Sequence, residues 1–240
     1  GFSLDASSIA GGSLAGLDTI LNAGSFTQSR DYRIRTGDVL VDGQVTSHIY
    51  RVAADSGGII VTGRVDASAE TGGTIDLKAN GSLIVSSGSL LNVSGMRYDA
   101  AGKGGSVTLE AGNQRYGVVD SAALLDLRPG SVIDLSVADR SANSESLGQF
   151  TGTLHLRAPR NEANDDMRIA AIGSTIKNAS SIILEGVELY EVTGTGSISD
   201  ELKSSIRNES AAFLGFAGDA SDGYKAMMAR FTSISPNLDL

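Results

Sequence analysis

The chain contains two histidines, His48 and His155, and any imidazole acid–base chemistry has to start from one of them. Neither lies in a GxSxG or HExxH setting, the frames that present a serine nucleophile or a pair of zinc ligands. The absence of cysteine removes thiol catalysis, thiolate metal sites and disulfides together. Carboxylates are plentiful. When the repeated segments described below are stacked, Asp76 and His155 share a column with Thr108 between them, and Glu110 falls between Lys78 and Arg157. A glycosidase needs two carboxyl groups converging at about 5–9 Å. Glu110 is instead placed between two cations, which would keep it ionised and quiet, so this column reads as a solvated face. Glu162, Asp165 and Asp166 offer the oxygen donors calcium takes, but without the alternating spacing and the glycine of an EF-hand loop they read as a solvated loop. The glycine pairs Gly72/Gly73 and Gly104/Gly105, and the TGTGS at residues 193–197, are followed by no helix start or GK[ST], so they read as turns rather than phosphate cradles. These residues define no catalytic, cofactor-binding or metal-binding set, and they leave any ligand-binding residues unspecified.

The elements that position these side chains are clearest at residues 72–94, GGTIDLKANGSLIVSSGSLLNVS. Ile75 and Leu77, Leu83 and Val85, and Leu91 and Val93 alternate with other residues at the period of two of a half-buried strand, and glycines separate the three segments. Strands this short need copies of themselves to stack on. The copies are present: GGIIVTGRVDAS from Gly57, GGSVTLEAG from Gly104, AALLDLRPGSVIDLS from Ala122 and TGTLHLRA from Thr151. A less regular one spans residues 181–199, with Ile183, Val187, Leu189 and Val192 as its apolar positions. Stacking predicts inward columns Ile75/Val107/Leu154, Leu77/Leu109/Leu156, Val65/Leu91/Ile133 and Ala67/Val93/Leu135. Tyr50 and Val52 extend the first two. Unequal spacing between copies predicts polar insertions at residues 112–121, 138–150 and 159–166, projecting from a constant core.

Bulk composition agrees. Thirty glycines against three prolines and 5% aromatics fit a turn-rich β structure, and 41% hydrophobic residues suffice for a sizeable core. A net charge of −9 with no basic stripe argues against a nucleic-acid partner. No apolar run approaches the roughly 20 residues of a membrane span. The sequence starts without Met or a signal-peptide pattern, as an excerpt or processed product would.

Residues 1–46 read as a leading or capping region. Leu14, Leu17, Ile20 and Leu21 have helical spacing, and an incoming strand pair follows from Tyr32. The repeats occupy residues 47–199. From Asp200, a plausible N-cap, Leu202, Ile206, Phe213 and Phe216 share one helical face. Tyr224, Met227, Met228 and Phe231 share another, so residues 200–240 are expected to form two amphipathic helices packed against the strands and an extended tail.

The pattern GxIxLxA, then SLxVxxGSLLxVSG, then GGSVTLEAG, covering roughly residues 32–199, resembles the repeat regions of filamentous haemagglutinin-like exoproteins of two-partner secretion in Gram-negative bacteria. The resemblance implies an all-β-dominated right-handed parallel β-helix (a solenoid), here of about four to five coils with a small helical element against it. It also implies export through an outer-membrane secretion pore and display at, or release from, the cell surface. The expected function is a non-enzymatic structural and adhesive shaft whose loops meet a host or matrix glycan or protein receptor. A carbohydrate-active β-helix enzyme and the stalk of a contact-dependent toxin are the alternatives. No cofactor is expected.

Overall fold

A computed structural model of the chain describes residues 1–113, 120–139, 149–190, 192, 196–214 and 229. Wherever apolar residues alternate, the backbone is extended, and these stretches recur in groups of three. The groups are β2 (Ser29–Ile34), β3 (Val39–Val41) and β4 (Gln44–Thr46); β5 (Ile49–Ala54), β6 (Ile59–Val61) and β7 (Arg64–Asp66); β8 (Thr74–Ala79), β9 (Leu83–Val85) and β10 (Leu90–Asn92). The pattern continues with β11 (Ser106–Glu110), β12 (Leu125–Leu127) and β13 (Val132–Asp134). β1 (Phe2–Ala6) precedes these groups, and β14 (Thr153–Pro159), β15 (Thr175–Lys177) and β16 (Ser181–Val187) follow them.

Each strand of a group joins a different sheet, and the next group lies beside it. The seven-stranded sheet runs β1-β2-β5-β8-β11-β14-β16, the four-stranded sheet β12-β9-β6-β3 and the five-stranded sheet β15-β13-β10-β7-β4. Every strand pair is parallel. Val107 pairs in register with both Ile75 and Leu154, Leu109 with Leu77 and Leu156, and Leu91 with Val65 and Ile133, as the columns predict. Tyr50 and Val52 sit opposite Ile75 and Leu77. All of these side chains are buried, and the inward residues of the three sheets form one continuous core. Parallel sheets are normally covered on the side where their apolar residues point, and here they cover one another.

Where the five-stranded sheet ends, a three-residue signature recurs: Asp66-Ala67-Ser68, Asn92-Val93-Ser94 and Asp134-Leu135-Ser136. In each, the first side chain accepts a hydrogen bond from the serine N–H at 3.0–3.1 Å while the central residue stays buried. This local turn competes with continued pairing and releases the chain at the same place in three successive groups.

The beginning of the chain differs from the expected strand pair. β2 and β3 lie in different sheets, parallel to β5 and β6, so the repeat already holds from Ser29. Before it, α1 (Ala15–Ala23) lies beside β4, and its Asn22 side chain bonds the Gln44 carbonyl and the Thr46 N–H. A helix thus closes an open sheet edge through one amide side chain. Its inward face is Leu14, Asp18 and Leu21, whereas Ile20, one of the four apolar residues at helical spacing, is 69% exposed.

Asp18 meets Arg30, which takes an inward position on β2, and both are fully buried. Arg30 donates to Asp18, to Asn22 and to the carbonyls of Phe26 and Thr46. The Tyr32 and Tyr50 hydroxyls donate to the two Asp18 oxygens at 2.7 and 3.2 Å. Burial pushes the Asp18 carboxyl above its ordinary value against the pull of these bonds, and burial beside that carboxylate pushes both phenols up, keeping them as donors.

At the other end, α2 (Asp200–Leu214) is capped by Ser199 rather than Asp200: the Ser199 hydroxyl accepts the Leu202 N–H, while Asp200 pairs with Lys203. Phe213 is buried against Gly186 of β16, with the Arg160 guanidinium 4.1 Å from its ring centroid. This first helix therefore packs on the end of the seven-stranded sheet. The second expected helix and the tail lie outside the described residues, Ala229 apart. The irregular copy at residues 181–199 also has the opposite phase in β16: Ile182 and Leu184 pair with Leu154 and Leu156, and Ile183 faces outward, 49% exposed.

Candidate functional site

The three corners between the sheets are not alike. From the four- to the five-stranded sheet the chain crosses in two to four residues each time, as at 42–43, 62–63, 86–89 and 128–131. From the five- to the seven-stranded sheet it takes only 47–48 in the first crossing, then 67–73, 93–105 and 135–152. From the seven- to the four-stranded sheet it lengthens at 111–124, and after β14 the chain touches β12 only through the isolated Leu125–Ile169 bridge before β15 joins the five-stranded sheet. Both margins of the seven-stranded sheet thus carry insertions, and its outer face lies between them. The sequence predicts the insertions at 112–121 and 138–150, which fall only partly within the described residues. It misses the one at 93–105, whose glycines read as an ordinary turn. The third, predicted from Pro159, begins one residue later, since Pro159 still pairs with Val187.

That outer face carries the residues whose chemistry the sequence raises. Asp76, Thr108 and His155 are neighbours in one column. His155, however, is bound to Glu185, with Nε2 2.8 Å from the carboxylate, and Asp76 takes the Lys78 ammonium at 2.9 Å on its own strand. The other Asp76 oxygen is buried with no hydrogen-bond partner among the described residues.

Glu110 is not solvated as expected. It is 4% exposed and pairs with Arg157, which also donates to Glu185 at 3.1 Å. One guanidinium therefore bridges two carboxylates on either side of its own strand, and Lys78 takes no role in it. A buried carboxylate needs its cation, so Arg157→Ala is expected to lower stability by about 2 kcal/mol, read from the urea midpoint, with Arg157→Lys losing less. Glu110 and Glu185 are thus both engaged by one cation.

Two of the three loop carboxylates, Asp165 and Asp166, are engaged within the loop. Asn161 accepts the Asp165 and Asp166 N–H groups and donates to Asp165, while Asp166 accepts from Met167. Glu162 is exposed to solvent. Among the described residues no three His, Asp or Glu side chains come together as metal ligands. His48 immediately precedes β5, and its Nδ1 is buried with no hydrogen-bond partner among the described residues, beside a cleft of about 440 Å³ lined by residues that include Thr27, Asp66 and Glu70. The glycine pairs lead into β8 and β11, not into helices.

A larger cleft, about 530 Å³, opens where the 93–105 and 135–152 insertions meet the sheet. Its floor is Gly72, Gly73, Gly104 and Gly105, and one side is the outward column Thr74, Ser106, Thr153, Ser181, paired in that order across four strands. Asp99 stiffens the opposite wall by accepting the Ala101 and Lys103 N–H groups. Phe150 is held there by backbone bonds to Gly102 and Gly104, and the residue is 55% exposed. No family model, curated protein or solved structure matches the chain.

Proposed function

We propose that the chain is a segment of a right-handed parallel β-helix whose role is structural and adhesive rather than enzymatic. More particularly, we read it as a stretch of the shaft of a secreted exoprotein of the filamentous haemagglutinin-like kind, passed through an outer-membrane pore and presented at the bacterial surface. The observation that carries this reading is the common parallel order of the strands in all three sheets, with insertions confined to the margins of one of them. A strand crossing over to a parallel neighbour does so right-handedly in nearly all proteins, which supports the handedness. The GxIxLxA and SLxVxxGSLLxVSG spacings support the family, and the arginine-bridged carboxylates support a binding rather than a bond-breaking surface.

Incubating the protein with immobilised glycans, acidic polysaccharides and matrix proteins, while assaying for new reducing or unsaturated ends, tests it. Retention without product is the expected result. Product formation that disappears in Glu110→Gln or Asp76→Asn would sink the reading.

A further inference from the structure

We infer that the cleft between Phe150 and the Thr74–Ser106–Thr153–Ser181 column binds an extended, neutral carbohydrate chain, an inference that rests on the adhesive reading and gives it a site. The four hydroxyl side chains recur at the strand spacing, so they span about 14 Å in a straight line. That repeat is close to the length of one pyranose unit in an extended β-linked chain. Thr153 and Ser181 spend their hydroxyls on no hydrogen bond among the described residues, and the Ser106–Thr74 contact is long at 3.4 Å. Hydroxyls that donate and accept equally well suit a ligand made of hydroxyls.

Across the cleft Phe150 offers what a sugar ring also needs, an apolar plane. Its backbone is clamped by Gly102 and Gly104, so the exposed ring is presented by a fixed wall rather than by a loose loop. The glycines in the lining serve the chain's own close approach: a Cβ on Gly72, Gly73, Gly104 or Gly105 would meet neighbouring backbone, so they hold the hydroxyl-bearing strand starts in place rather than contact the ligand.

Other ligands fit less well. A peptide adding itself as a strand needs an unpaired edge; β16 alone of the four strands ends the sheet, and β8, β11 and β14, which carry the rest of the column, are each paired on both sides. A nucleic acid needs clustered cations, and Lys103 is the single one in the lining.

The test is titration of the intact chain with cellotriose and chitotriose, using Phe150→Ala, Thr153→Val and, as a control on the distant α1 surface, Ile20→Ser. Thermal melts confirm that each variant is folded. We expect binding of at least one trisaccharide, weakened about tenfold by Phe150→Ala and about threefold by Thr153→Val, with Ile20→Ser unchanged. Absence of binding to both probes, or binding that both cleft variants leave intact, overturns the inference, and the second result leaves the adhesive reading standing. Cleavage of the probe that is lost in the cleft variants would support the cleft while overturning the non-enzymatic reading.

Discussion

Replacing Asp18 with alanine is expected to remove about 3–5 kcal/mol of stability, read as a large drop in the urea midpoint with little change in slope. The size follows from what the substitution leaves behind. Arg30 is fully buried on an inward position of β2, and Asp18 is its carboxylate partner. The Tyr32 and Tyr50 hydroxyls would lose their acceptor at the same time. The pair is costly to break and not necessarily costly to replace. A double variant, Asp18→Leu with Arg30→Met, exchanges two desolvated charges for apolar volume and is expected to recover most of the loss. If Asp18→Ala alone proves nearly neutral, the cluster does not hold α1 to the strands as described.

The second large effect is expected at Gly105, where a side chain has nowhere to go. A Cβ there would run into the Val93 carbonyl oxygen and lie 2.7 Å from the Val93 Cβ and 2.8 Å from the Gly73 carbonyl oxygen. Two of these atoms are backbone, one at the start of the crossing that Gly105 ends and one on the crossing before it, so relief would require moving the chain itself. Gly105→Ala is expected to cost about 3 kcal/mol. Gly88 provides the comparison: its φ of +84° disfavours any side chain, but no atom lies within 4 Å of the added carbon. Gly88→Ala should cost only about 1 kcal/mol. Equal effects in a thermal-denaturation series would mean that glycine is needed for conformation alone and not for close approach.

Stacking the apolar alternation located the registers of β5, β8, β11 and β14 because inward and outward residues there differ in polarity at nearly every step. The same method failed at β16, where Ile182, Ile183 and Leu184 are all apolar, so alternation does not tell one face from the other. At α1 the helical spacing of the leucines and isoleucine pointed to the helix but gave no reading of Asp18, which the fold buries. The available hint was Arg30, which shares its phase on β2 with Tyr32 and Ile34 and so requires an acid inside. Glu110 was placed in the right column beside Arg157, but its burial is a matter of three-dimensional packing that strand periodicity does not encode. The Phe150 cleft was hidden for a related reason: its walls are distant in sequence and meet only through register, as Lys103 and Phe150 do.

Since strands follow one another in the same sequence in all three sheets, their interstrand hydrogen bonds all point along a single direction. A pull along that direction would place the ladder in tension, so the bonds would open strand by strand. A load applied across it would shear whole strands at once. A stack of this construction therefore yields gradually when stretched along that direction and meets a load on its flank as a much stiffer body.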